Sequence, residues 1–234
     1  MTEYKKISVV IPVYNEINTI KDIIDQVILA NTFNIEKEII IVDDHSTDGT
    51  SELLLKLNHP AIKLLTLASN QGKGAALKKG FEVARGDIVV IQDGDSEYNP
   101  QELHKVIRPI LEQSAKVVYG SRYLASSPGL GFWHSLFNKL FTRLGNALTG
   151  LDLTDLMTCY KAFDREVLNS FLQRLESKRF GFEPEVTARI AKAGFKIIEV
   201  PVSYKPRSSE EGKHMNLKGQ VESLLALIKY SVFK

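Results

Sequence analysis

A chain of 234 residues with 44% apolar and 25% charged side chains has the make-up of an ordinary folded protein, which excludes disorder, collagen-like repeats and low complexity. Its net charge of +2 gives no electrostatic case for nucleic acid, and its single cysteine, Cys159, excludes an internal disulfide or a cysteine-built metal centre. No uncharged apolar window of 18 residues and no signal-peptide core occur, so the composition predicts a cytoplasmic protein without a membrane span.

In chain order, 7–12 (ISVVIP) reads as a strand buried on both faces, and 16–30 has helical periodicity. A second buried strand, 38–42, precedes a helix over 47–57 for which Ser46 or Thr47 is the expected N-cap. Strand 63–67, helix 74–84, strand 87–92, a helix after Pro100 and strand 116–119 continue the alternation. Such alternation predicts an α/β fold, a mostly parallel sheet with helices on both faces. Beyond residue 122 the rhythm breaks. A loop at 126–129 leads to an amphipathic helix over 132–151, a short strand or turn at 159–163, and helices at 165–172 and 184–193. A strand-like run at 197–204 and an apolar C-terminal helix within 218–233 complete the chain.

Ligands of such sheets bind beyond the carboxyl ends of the strands, and polar signatures stand there. Tyr14-Asn15-Glu16, Asp43-Asp44 and Asp93-Gly94-Asp95 each follow a predicted strand directly. If the chain runs on extended, Asp93, Asp95 and Glu97 share one face. Three carboxylates on one face repel unless a cation lies between them, and an oxygen-only donor set favours Mg²⁺ or Mn²⁺. A carboxylate of the Asp43-Asp44 pair is suited to accept hydrogen bonds from a nucleotide base or ribose. The segment Asn70-Gln71-Gly72-Lys73-Gly74 resembles a phosphate-cradling loop without being a Walker A motif. The first strand lacks the glycine-rich loop expected of a nucleotidyltransferase.

The strings VVIPVYNE, IIIVDDHSTDGT, NQGKGAALKKGFEVARGD and IQDGDSEYNP, in this order, resemble the family 2 glycosyltransferases of the GT-A fold. That resemblance implies a nucleotide-sugar donor and a divalent cation at an Asp-X-Asp motif. By position, Pro12, Tyr14, Glu16 and Asp44 would hold base and ribose, and Asp93, Asp95 and Glu97 the metal on the diphosphate. Residues 1–122 would form the donor half and 123–234 the acceptor half of a single domain. The strings YGSRY, TDLMTCYKAF, RFGFEPE and YKPR with EGK narrow the resemblance to the polyprenyl-phosphate sugar transferases, dolichol-phosphate mannose synthase among them. This implies Arg122 and Arg143 at an acceptor phosphate and Arg207 and Lys213 near the donor diphosphate.

The chemistry gives the arginines an independent reason. A lipid monophosphate is largely a dianion at neutral pH and needs no general base, while guanidinium forks match its head group. Direct displacement with inversion is the expected step. A saccharide acceptor, the rival reading, would instead need a carboxylate base, for which Asp155 and Glu185 are the candidates. A second rival, a sugar-nucleotide-binding module without catalysis, is opposed by the Asp93/Asp95 pair. Helix 132–151 carries an apolar stripe (Trp133, Leu136, Phe137, Leu140, Phe141, Leu144) opposite His134, Asn138, Lys139, Thr142 and Arg143. A stripe of this kind fits either a core helix or one lying on lipid as a peripheral membrane contact.

Overall fold

The structure, a computed structural model, describes residues 4–125, 131–207 and 217–233. The expected loop at 126–129 and the Glu211-Gly212-Lys213 string, Lys213 included, lie outside the described residues.

Seven strands form one sheet: β1 (Lys6–Val13), β2 (Glu36–Asp43), β3 (Ile62–Thr66), β4 (Ile88–Ile91), β5 (Val117–Ser121), β6 (Lys161–Asp164) and β7 (Ile198–Pro201). Their order is β3-β2-β1-β4-β6-β5-β7. β1 pairs in parallel with β2 and β4, β2 with β3, and β5 with β7, whereas β6 lies antiparallel between β4 and β5. The fold is therefore mostly parallel, as the alternation predicts, with one reversed strand. That reversal matters for the site. A parallel strand offers the rim its carboxyl end, but β6 offers its amino end, so the loop entering it reaches the same rim.

Helices α1 (Ile20–Leu29), α2 (Thr50–Leu55), α3 (Lys73–Val83), α4 (Leu103–Leu111), α5 (Phe132–Thr149), α6 (Arg165–Phe171), α7 (Phe182–Lys192) and α8 (Leu217–Ile228) surround the sheet. β1 shows why both faces need cover. Ile7, Val9 and Ile11 pack with Ile23 and Ile24 of α1 and Val106 and Ile110 of α4. Val10 points to the other face, among Leu77 and Phe81 of α3. All four residues of β4 (IVVI) are buried, which accounts for its unbroken apolar run.

Three boundaries depart from the sequence reading. α1 begins at Ile20, not residue 16, because Asn15 adopts φ 55° and the Glu16 carbonyl closes a turn on the amides of Thr19 and Ile20. α2 begins at Thr50 after Gly49 (φ 98°), and neither Ser46 nor Thr47 caps it. Ser46 bonds the Asp43 carboxylate through its amide and hydroxyl, and Asp48 accepts from the Thr50 amide instead. β7 stops at Pro201, and residues 202–207 run as an irregular segment past Glu97, where the Lys205 amide donates to the Glu97 carbonyl.

Candidate active site

The carboxyl ends of β1, β2 and β4 open onto a cavity of about 420 Å³ whose walls include Tyr14, Glu16, Asp44, Lys73, Asp93, Asp95 and Arg207. A smaller adjoining recess adds Pro12, Val13 and Gly94. The three acidic strand ends thus meet, as their positions in the sequence predict.

Asp93, Asp95 and Glu97 are 8%, 8% and 7% exposed, so their charges sit largely out of water. They do not form the expected three-carboxylate set, and among the described residues no three Asp, Glu, His or Cys side chains make a ready metal site. The chain turns instead of running on extended. Asp95 Oδ1 accepts the Glu97 amide at 3.0 Å, and Glu97 accepts the Arg207 amide at 3.1 Å. Glu97 therefore serves the 205–207 segment. Arg207 neutralises the cluster, with Nη1 2.9 Å from Glu16 and Nη2 2.7 Å from Asp95. Even so, burial and the nearby charges of Asp93 and Glu97 push the Asp95 carboxyl up to about 7.

Asp93 Oδ1 is buried and aligned with no hydrogen-bond donor among the described residues, although Lys73 Nζ forms an ion pair with it at 2.6 Å. Mg²⁺ is commonly held by one or two carboxylates together with substrate phosphates. Asp93 and Asp95 fit that donor set. Lys73 is the first residue of α3 and was legible only as part of a glycine-rich loop. Burial opposes its charge, but Asp93, Cys159 and Glu183 hold its ammonium well above the ordinary lysine value.

Asp44 stands on the cavity wall, where its position places it, and has a further task. Its two oxygens accept the amides of Gln71 and Gly72, each at 2.7 Å, so it fixes the loop that leads into Lys73. Gly72 holds φ 100°, and a Cβ there would lie 2.5 Å from the Lys178 carbonyl. Only glycine suits both demands.

The reversed strand supplies the other half of the cavity wall. Arg122, at the end of β5, is clamped by Asp155 from the loop entering β6. Nε and Nη2 donate to its two oxygens at 2.7 Å each, and the Arg122 amide adds a third bond at 3.1 Å. The guanidinium also lies over the Tyr204 ring, 5.1 Å from its centroid. Arg122 lines the cavity, but Asp155 is fully buried behind it and does not. This corrects Asp155 as a candidate base, since both its oxygens are spent on Arg122. Glu185 fails for the same reason: it accepts the amides of Glu176 and Ser177 and pairs with Arg189. Arg143 is exposed on α5 and absent from the cavity wall, so the fold does not bring it together with Arg122.

Of the two arrangements that its stripe allows, α5 has the one that leaves most of its apolar side chains outward. Its inward face is polar. His134 and Asn138 line the cavity, Thr142 Oγ1 accepts the Leu156 amide, and Asn146 exchanges two hydrogen bonds with the Leu153 backbone. Phe141 is buried among them. Phe132, Trp133, Leu136, Leu140 and Leu144 are exposed, Trp133 at 78%. On α8, which packs beside α5, Val221, Leu224, Leu225 and Ile228 form a second exposed apolar stripe. No described helix is long and apolar enough to cross a membrane. Glu183 and Tyr204 stand in the strings RFGFEPE and YKPR, and Asn138 on the polar side of α5, but the sequence gives none of them a role, and the three-dimensional packing sets them on the cavity wall.

Residues 8–172 match the family described as Glycosyl transferase family 2. The chain is 29% identical over 218 residues to the undecaprenyl-phosphate mannosyltransferase of Micrococcus luteus, covering 89% of this chain and 87% of that protein. It is 31% identical over 208 residues to the polyprenol monophosphomannose synthase of Mycolicibacterium smegmatis, covering 85% and 77% respectively. Among solved structures, glucosyl-3-phosphoglycerate synthase of Mycobacterium tuberculosis, crystallised with Mn²⁺, UDP and phosphoglyceric acid, superposes with a TM-score of 0.73 at 21% identity, over 98% of this chain and 80% of that one. With its sheet, its acidic strand ends and the matched residues taken together, the chain belongs to the family 2 glycosyltransferases of the GT-A fold.

Proposed function

We propose that this glycosyltransferase moves a hexose, with inversion, from a nucleoside-diphosphate sugar to a polyprenyl phosphate on the cytoplasmic side of a membrane surface. The observation that carries the reading is the sealing of both base candidates. Asp155 and Glu185 are fully buried and saturated, an arrangement that suits an acceptor needing no deprotonation. The names of the similar bacterial enzymes support the lipid-phosphate acceptor, and the UDP and Mn²⁺ bound by the solved structure support the donor class.

Under this reading the recess beside Pro12 and Tyr14 takes the base and ribose, while Asp44 acts through the loop it holds. Asp93 and Asp95 hold Mg²⁺ or Mn²⁺, which when bound neutralises charge on the departing diphosphate. Arg207 moves its positive charge between the carboxylates and the phosphates. Arg122 orients the acceptor phosphate with Nη1, because Asp155 takes Nε and Nη2. The apolar faces of α5 and α8 rest on lipid, with Lys139 and Arg143 beside them for anionic head groups.

Incubation with Mn²⁺, UDP- and GDP-linked hexoses and vesicles containing undecaprenyl phosphate is expected to yield a lipid-linked hexose. Transfer to a free saccharide, with none to the lipid phosphate, would refute the acceptor assignment.

A further inference from the structure

Two carboxylates stand two residues apart at the start of α7 and meet opposite fates. Glu185 is fully buried and satisfied by two backbone amides and Arg189. Glu183 is 6% exposed and lines the cavity, yet its partners are distant: Lys73 Nζ at 3.7 Å and the Cys159 thiol at 3.8 Å. A nearly buried carboxylate is costly unless strong hydrogen bonds satisfy it. Its retention here points to donors that enter the cavity with a ligand.

The position of Glu183 indicates which donors. Lys73 lies between two carboxylates, 2.6 Å from Asp93 and 3.7 Å from Glu183. Asp93 belongs to the pair assigned above to the diphosphate. A sugar joined to that diphosphate must lie close to it, and Glu183 is the cavity-lining carboxylate on the other side of Lys73 from Asp93. We infer that Glu183 is a specificity-determining residue which accepts hydrogen bonds from hydroxyls of the transferred hexose, with Lys73 linking it to the diphosphate subsite. This inference rests on the nucleotide-sugar reading. It assigns Glu183 to the sugar, not to the nucleotide, the metal or the acceptor. A charged acceptor of hydrogen bonds discriminates strongly between hydroxyl patterns, because a misplaced hydroxyl leaves the carboxylate buried without a partner.

The test compares binding of UDP and GDP with that of UDP-glucose, UDP-galactose, GDP-mannose and GDP-glucose, by calorimetry with Mn²⁺, in wild-type protein and Glu183→Gln. Wild-type protein is expected to prefer one hexose among the conjugates of its nucleotide. Glu183→Gln should weaken that conjugate about 10- to 100-fold, flatten the preference between epimers and leave the bare diphosphate within about twofold. Equal losses for conjugate and bare diphosphate would overturn the inference and make Glu183 a support for Lys73. Unchanged conjugate binding with turnover abolished would also overturn it, making Glu183 a base. Failure of wild-type protein to bind any of these nucleotides would instead sink the nucleotide-sugar reading itself. Should Glu183→Gln not fold, Glu183→Asp keeps the charge while drawing it back by one methylene, and the same selective loss is expected.

Discussion

Replacing Asp155 with asparagine separates a structural carboxylate from a catalytic one. Asp155 and the Arg122 side chain are 0% and 6% exposed, and two 2.7 Å bonds join them in a bidentate pair. The asparagine side chain is nearly isosteric but neutral, so it would leave the Arg122 guanidinium buried without its counter-charge. Breaking one partner of a buried pair costs about 3–5 kcal/mol. At roughly 2–4 °C per kcal/mol for a chain of this size, the midpoint of thermal unfolding should fall by about 6–20 °C. Turnover should fall as well, since Arg122 loses the clamp that aims it, and the residual rate should show no recovery at high pH. Thermal unfolding followed by circular dichroism and glycolipid formation between pH 6 and 9 would measure both. A variant that unfolds within about 2 °C of wild type, or whose lost rate returns as the pH rises, would refute the clamp and restore Asp155 as a base.

Burial pushes the Lys161 ammonium down to about 7, well below the 10.5 of an exposed lysine. Between those values the unfolded chain binds a proton that the folded one does not, so stability should rise with pH by up to about 1.4 kcal/mol per unit. Lys161→Met should abolish that slope in urea titrations from pH 7 to 10. Trp133→Ser with Leu140→Ser removes exposed apolar groups of 78% and 53% exposure. Sedimentation with anionic vesicles should show binding weakened roughly 10- to 100-fold, with no loss of thermal stability. Asp95→Ala should eliminate Mn²⁺-dependent turnover and weaken Mn²⁺ binding, read by electron paramagnetic resonance with UDP or GDP present. Gly72→Ala forces φ 100° on an L side chain and drives its Cβ into the Arg179 side chain and the Lys178 carbonyl, so nucleotide affinity should drop at least roughly tenfold.

Features set by local pattern were readable from the chain alone. The runs ISVVIP, EIIIV and DIVVIQ are apolar because their strands are covered on both faces, and acidic residues directly after them had to meet at one rim. What escaped were decisions made by partners distant in sequence. Asp44, Asp93 and Asp95 are all aspartates after strands, but loop amides claim Asp44 and Arg207 claims Asp95. Glu97 leaves its expected face because an amide two residues from Asp95 closes a turn on it. On α5 the periodicity was visible, but not its direction. The polar face turns inward because the 153–156 backbone needs hydrogen-bond partners there.

The reversed strand also bears on the order in which the site can be assembled. β1 to β4 lie within the first 91 residues and pair only with one another until β6 arrives. β4 joins β6 through pairs such as Ile88 with Asp164, some 76 positions apart, a separation that slows folding. During synthesis the apolar edge of β4 is expected to wait unpaired until about residue 164 has left the ribosome, the stage at which aggregation is most favoured. Asp44, Asp93 and Asp95 would then be synthesised well before Glu183 and Arg207 emerge. A fragment ending near residue 122 should consequently behave as a sticky partial sheet and not as a small sugar-nucleotide binder.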